Sequence, residues 1–223
     1  MSRLVLIVAA HADDEALGCG ATMVRHAAAG DRVETVFMTD GVGSRGEGAE
    51  DARARRAMAV EAAKILGSAE PVFGAFPDNA MDSAPLLQVA QFVEGFVGGR
   101  KPDFVYTHHL GDLNVDHRIT AAAVMTCFRP QPGRAVPTIL SFEVPSSTEW
   151  QAPTGGPAFV PNWFEDVSAH FARKLAALDA YAKEMRDAPH PRSRASIEAL
   201  AAWRGTSCGV ARAEAFMLLR RIG

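Results

Sequence analysis

One imidazole and three carboxylates stand together at His11, Asp13, Asp14 and Glu15, directly after the apolar run Leu4-Val5-Leu6-Ile7-Val8. A β-rich apolar run that gives way to polar residues, then to the helical pattern of Ala16-Leu17-Gly18-Cys19-Gly20, predicts a strand delivering those groups to a sheet's carboxyl edge. Open α/β folds bind ligands at that edge. If the chain turns into a helix there, His11 and Asp14, three residues apart, share a side while Asp13 points elsewhere. One imidazole and one carboxylate can then share a metal, leaving a second carboxylate to act on whatever the metal binds. An acidic first turn favoured by the helix dipole, with His11 as a cap, accounts for one or two of the acids. It does not account for a histidine at the strand end as well.

A second strand-like run, Phe104-Val105-Tyr106-Thr107, ends in His108-His109-Leu110-Gly111-Asp112-Leu113-Asn114-Val115-Asp116-His117, ahead of the helical Ile119-Thr120-Ala121-Ala122-Ala123-Val124. The two stretches, in this order and each after a strand, resemble the paired motifs of the PIG-L/LmbE family of metal-dependent de-N-acetylases. That family carries an AHPDDE motif and a distal HPDH-type motif; here they read Ala10-His11-Ala12-Asp13-Asp14-Glu15 and Asn114-Val115-Asp116-His117. The resemblance covers most of the chain and is specific at those two motifs.

The resemblance implies hydrolysis of an N-acetyl or other N-acyl group on an amino sugar or its conjugate. It implies His11, Asp14 and His117 as zinc ligands and Asp13 as the general base that takes a proton from water and passes it to the leaving amine. Two imidazoles and one carboxylate leave positions open, the catalytic rather than the structural pattern of a zinc site. Zinc would polarise the amide carbonyl and bring the pKa of its water to about 7. Ferrous iron or another divalent metal suits the same ligands. Asn114 stands where the family has a histidine that helps stabilise the tetrahedral intermediate. An amide can donate to an oxyanion but cannot act as an acid. Either Asn114 does this milder job, or His108 or His109 reaches in; His109 is the assisting group expected here, with strand-end capping the alternative. Ala12 replaces the family's proline, which loosens the turn without removing a ligand. Asp116 is expected behind the ligands, orienting an imidazole, or as a helix N-cap. Asp112 is expected to bind a substrate hydroxyl.

The bounds agree. The 223 residues are 48% apolar with net charge −3, an ordinary soluble chain able to bury one core, expected as a single domain over residues 1–223. Scattered basic residues, nearly balanced by acids, exclude a nucleic-acid surface. No apolar run is long enough to span a bilayer, and the amino terminus lacks a signal-peptide pattern. A cytoplasmic protein acting on a small molecule is expected, with a homo-oligomer left open. Cys19, Cys127 and Cys208, far apart and without a CxxC, argue against a disulfide framework or thiolate zinc site and are expected as small buried residues.

Periodicity and breakers place the other elements. Helices are predicted over 16–29, 49–66, 85–97, 116–127, 167–187 and 193–204, with Ser193 as a cap. Strands are predicted over 32–38, 71–74 and 136–143, with a late strand near Ala213-Glu214-Ala215-Phe216 favoured by the resemblance. Residues 145–161 read as a long loop or hairpin that could lid the pocket. The resemblance implies that the glycine-rich stretch from Thr39 to Gly48 is a substrate loop with Arg45 the contact, a solvated loop cation being the alternative for Arg45, and Asp78 reads as a turn residue that could border the pocket. Arg53, Arg55 and Arg56 read as the solvated face of a packing helix. Alternating strands and helices predict a Rossmann-like three-layer α/β fold, a mostly parallel sheet with C-terminal helices. Two other classes compete. A dinucleotide-binding module would place glycines in the first turn, not acids that repel phosphate; a metal-dependent hydrolase of a non-sugar amide or ester is the other.

Overall fold

Leu4–Ala9 (β1) is apolar along its whole length because both of its sides are covered. Val5, Ile7 and Ala9 enter one core, Leu6 and Val8 the other. In the computed structural model, which describes residues 2–39, 49–152, 154 and 156–222, β1 is central in a seven-stranded sheet of order β3-β2-β1-β4-β5-β7-β6. Strands β2 (Arg32–Thr39), β3 (Val72–Phe76), β4 (Phe104–His108) and β5 (Thr138–Phe142) run parallel to it; β6 (Trp163–Asp166) and β7 (Ala213–Arg220) close one edge antiparallel. Helices α1 (Asp14–Ala28), α2 (Ala49–Leu66), α5 (Phe171–Ala180) and α6 (Arg194–Thr206) cover one face, and α3 (Leu86–Val97) and α4 (Val115–Cys127) the other. The predicted three-layer, mostly parallel architecture is therefore the one observed. Arg45 and the rest of the glycine-rich stretch beyond Thr39 lie outside the described residues. Among the described residues no helix is long and apolar enough to cross a membrane.

From β1 the chain builds outward through β2 and β3, then returns to the other side of β1 as β4 and β5. The crevice beyond the carboxyl ends of β1 and β4 is thus the topological switch point, where open α/β sheets bind ligands. Both motifs follow those two strands. The opposite ends are tied by Asp31, which accepts from Arg3 Nη2 (2.6 Å) at the start of β1 and pairs with His26 Nδ1 (2.8 Å) on α1; His26 Nε2 meets Tyr106 Oη of β4 at 2.9 Å.

Helix α1 is broken at Cys19 (φ −143°), and the groups the break would orphan are met from elsewhere. Glu214 of β7 accepts the Ala21 and Thr22 amides at 3.1 and 2.7 Å. Lys174 of α5 donates to the Leu17 carbonyl at 2.8 Å and to Glu214 at 2.6 Å. All of this is buried. Beside the break, Gly18 is a glycine because a Cβ would lie 2.3 Å from the Phe142 ring on β5.

Three expectations change. The helix predicted over 167–187 is only Phe171–Ala180, because the chain leaves it to turn the Tyr181 hydroxyl onto Glu15 (2.8 Å) and Glu184 onto Arg55 (2.5 Å). Strand β6 lies in a stretch without strand-like alternation; its four residues gain their order by pairing with β7. Cys208 is exposed, while Cys19 and Cys127 are buried as expected.

Burial would raise the Asp31 carboxyl, but the bonds from Arg3 and His26 hold it down at about 2. Its folded pKa is below the unfolded value of about 3.9, so its stabilisation is present above pH 4 and lost as pH falls toward 2. Asp31→Asn should flatten the urea midpoint against pH across that window. Lys174→Met leaves the Glu214 carboxylate buried and unpaired, and should lower the urea-derived stability by about 3–5 kcal/mol. The Lys174→Met/Glu214→Gln double variant should lose less than the two single variants summed.

Candidate active site

The β1–α1 turn sends its three acids to three places. Asp14 turns inward: its Oδ2 lies 3.2 Å from His11 Nδ1, 3.3 Å from His117 Nε2 and 3.5 Å from His108 Nε2. Asp13 adopts φ +124°, a region costly for any residue but glycine by roughly 1–3 kcal/mol. Its carboxylate faces a cavity of about 140 Å³. Glu15 turns away from the cavity and holds the strained turn, accepting the Asp13 amide (3.0 Å) and the Tyr181 hydroxyl (2.8 Å). Burial pushes the Glu15 carboxyl up to about 8, against those two bonds.

His11, Asp14 and His117 bring three donor atoms within 4.8 Å of one another. Asp14 Oδ1 and His117 Nε2 are buried with no hydrogen-bond partner. Unpartnered buried polar atoms are costly, and these two belong to the three residues that group within metal-binding reach, a donor set that fits a divalent metal. The surrounding groups fix the rings in the required sense. His11 Nε2 meets Asp116 Oδ2 at 3.0 Å and Asp78 Oδ1 at 3.1 Å, leaving Nδ1 toward Asp14. His117 Nδ1 meets Asp112 Oδ1 at 3.1 Å, leaving Nε2 toward the same point. Such carboxylate–histidine pairs orient a ligand ring and raise its basicity. Burial alone would lower the His117 pKa, but Asp14 and Asp112 outweigh it and lift it to about 9. Asp14 is held well below the usual carboxylate range: burial opposes ionisation, and His117, His108 and His11 overcome it. The second acid cluster, His11 with Asp78 and Asp116, is different in kind, because Asp116 already accepts the Asn79 and Met81 amides at 2.6 and 3.0 Å.

Several expected positions shift. Asp112 does not border the cavity; it is fully buried behind His117, also accepting from Ser147 Oγ and from Thr148 Oγ1 (2.6 Å). The cap of α4 is Asn114, whose Oδ1 accepts the Asp116 amide at 2.8 Å, and this frees Asp116 to face His11. Asn114 still lines the cavity, with Nδ2 donating to Asn79 Oδ1 at 3.0 Å. His109 does not line the cavity: its Nε2 meets the Pro157 carbonyl at 2.7 Å and its ring packs edge-on to Phe159. His108 is the inner histidine, stacked on His117 at 3.9 Å and accepting the Ala10 amide at 2.8 Å. Burial, and next the neighbouring His117, push its pKa well down, so it stays neutral.

Arg55, Asn79, Ser146, Ser147 and Arg192 line the cavity without having been singled out by the sequence. Arg55 had a signal: it shares the 55–59–62–66 stripe with the buried Ala59, Ala62 and Leu66, a place no solvated arginine occupies. Burial acts first to raise the Asp13 carboxyl, and Arg192 beside it opposes that rise.

Asp112→Asn should keep the fold and weaken metal binding by about 10–100-fold, read by competition with a chromogenic chelator. Unchanged affinity would separate Asp112 from the ligand set.

The family described as GlcNAc-PI de-N-acetylase, PIG-L, matches residues 6–128, which contain both motifs. An uncharacterised deacetylase of Escherichia coli K12, YaiS, is 32% identical over 181 residues, 78% of this chain and 88% of its own. Among solved structures, the N,N'-diacetylchitobiose deacetylase of Pyrococcus horikoshii superposes with a TM-score of 0.79 at 21% identity, covering 98% of this chain and 84% of that one. GalB, a 4-carboxy-2-hydroxymuconate hydratase of Pseudomonas putida, superposes at 0.74 with 23% identity, covering 99% and 98%. A deacetylase and a hydratase share this scaffold, so the likeness to solved structures speaks to fold alone. With the family match spanning both motifs and a relative of this identity over most of the chain, the protein belongs to the PIG-L family.

Proposed function

We propose that the protein is a metal-dependent N-deacetylase that removes the acetyl group from an amino sugar or an amino-sugar conjugate. The observation that carries this reading is the convergence of the His11, Asp14 and His117 donors at a cavity that a separate carboxylate, Asp13, also lines. His11, Asp14 and His117 would hold the metal, zinc being the first choice and ferrous iron the second. A divalent ion there would supply Lewis acidity toward an amide carbonyl and lower the pKa of water to about 7.

The chain's own residues do the rest. Asp13 Oδ2 is taken by Arg192 at 2.9 Å, and its Oδ1 is left to accept a proton from water and return it to the departing amine. The second hydrogen of Asn114 Nδ2 is available to the oxygen that gains charge, a hydrogen bond without proton transfer. Every described residue lining the cavity is polar, Asp78, Asn79, Ser146 and Ser147 among them. That surface suits a ring carrying hydroxyls better than an acyl chain or an aryl amide. The family description, a de-N-acetylase of a GlcNAc conjugate, points to the same substrate class.

The test is amine release from N-acetylglucosamine, N,N'-diacetylchitobiose and glycoside conjugates, beside acetanilide and acetate esters, with the zinc- or iron-loaded protein. Amine is expected from the sugars. Release from the non-sugar amides alone would overturn the substrate class. Asp13→Asn should keep one metal per chain and lower kcat by about 100-fold or more; full turnover in that variant would reject Asp13 as the base.

A further inference from the structure

Arg192 reaches the cavity from outside the family-matched span of 6–128, and its fork is divided between two parts of the site. Its Nη1 donates to Asp13 Oδ2 at 2.9 Å and its Nε to Ser146 Oγ at 2.7 Å. Its own backbone is fixed, since the Arg192 amide donates to His190 Nδ1 at 3.1 Å and the next residue, Ser193, caps α6 by accepting the Ser196 amide. The side chain is 18% exposed. Arg55, the other guanidinium at the cavity among the described residues, is committed elsewhere, to Glu184 at 2.5 Å and the Ala12 carbonyl at 3.3 Å. Among the described residues, Asp13 Oδ1 accepts no hydrogen bond.

We propose that Arg192 is a positioning residue for the general base, pinning one oxygen of Asp13 so that the other alone faces the cavity. The inference rests on the reading of Asp13 as that base. The strained backbone at Asp13 aims the side chain, but the carboxylate torsion beyond it is soft and nearly two-fold. An unpinned Asp13 would be free to rotate, and next in the chain to Asp14, the acid that His11 and His117 contact, it would compete as a ligand instead of serving as a base. A charge-assisted bond from a guanidinium held at Ser146 removes that freedom. Ser146 follows β5 and Arg192 precedes α6, so the base is set by two segments remote from its own turn.

The test is Arg192→Ala in the metal-loaded protein. Its kcat should fall by about 100-fold with KM changed by less than about threefold, and metal content should be retained. Guanidinium ion at tens of millimolar should restore about tenfold of the loss, while tetramethylammonium restores none, and Arg192→Lys should fall between the two proteins. A crystal structure of Arg192→Ala should show the Asp13 carboxylate rotated from its place. A kcat within threefold of wild type, or a loss that guanidinium leaves untouched with Asp13 unmoved, overturns the inference. Full turnover in Asp13→Asn is a separate result that overturns the base itself, whatever Arg192→Ala shows.

Discussion

The Asp14 carboxylate is the constraint from which the site is built. It is fully buried, one oxygen has no hydrogen-bond partner, and the other lies within 3.5 Å of nitrogens on three histidines. A buried carboxylate is tolerated only where positive charge meets it. The charge can be supplied here only if the ends of β1 and β4 are neighbours, since His11 follows one strand and His117 follows the other. Their parallel register, Val5 on Phe104 through Ile7 on Tyr106, is therefore a condition of the chemistry and not only of the sheet. The outer carboxylates complete the arrangement. Asp116 and Asp78 on one imidazole, and Asp112 on the other, turn both free ring nitrogens toward the same point.

Three acids adjacent in sequence would repel one another if they shared an environment. The turn prevents this by giving each a different one. Asp14 is surrounded by imidazoles, Asp13 is paired with a guanidinium at the cavity, and Glu15 is buried against a tyrosine hydroxyl, where burial opposes its ionisation. The positive φ at Asp13 is what separates the three directions, and the bond from its amide to Glu15 is what holds that φ in place. Glu15 thus contributes to the cavity without touching it.

What the sequence made legible was local. Apolar runs ending in polar clusters marked β1 and β4, and the structure brings His11, Asp14 and His117 together because each lies within a few turns of its strand. What it hid was decided by single-residue register or by distant partners. In the stretch from Asp112 to His117, the start of α4 selects which aspartate faces which histidine. Asn114 takes the cap, so Asp116 swings to His11, and Asp112 is left behind His117. Periodicity cannot resolve a choice that turns on one residue. Arg192 lies between a proline and a cap, a context that says only that the chain bends; its partner is 179 residues away. The early end of α5 is hidden for the same reason, because Tyr181 and Glu184 leave the helix for side chains on α1 and α2.

The later half of the chain matters to the site through angles, not donors. Helix α1 begins with Asp14, and any tilt of its first turn would move that carboxylate off the histidines. The break at Cys19 frees this turn from the direction of the remaining helix, and the buried Lys174–Glu214 pair meets the groups that the break exposes. Gly18 lets the turn settle directly on the Phe142 ring of β5. Each of these contacts comes from an element after residue 128. A charged pair in the interior is poor evidence of stability in itself, since an apolar replacement of the same shape is often as stable. It is better understood by what it specifies, one orientation of a short helical segment that an apolar contact would leave free to slide.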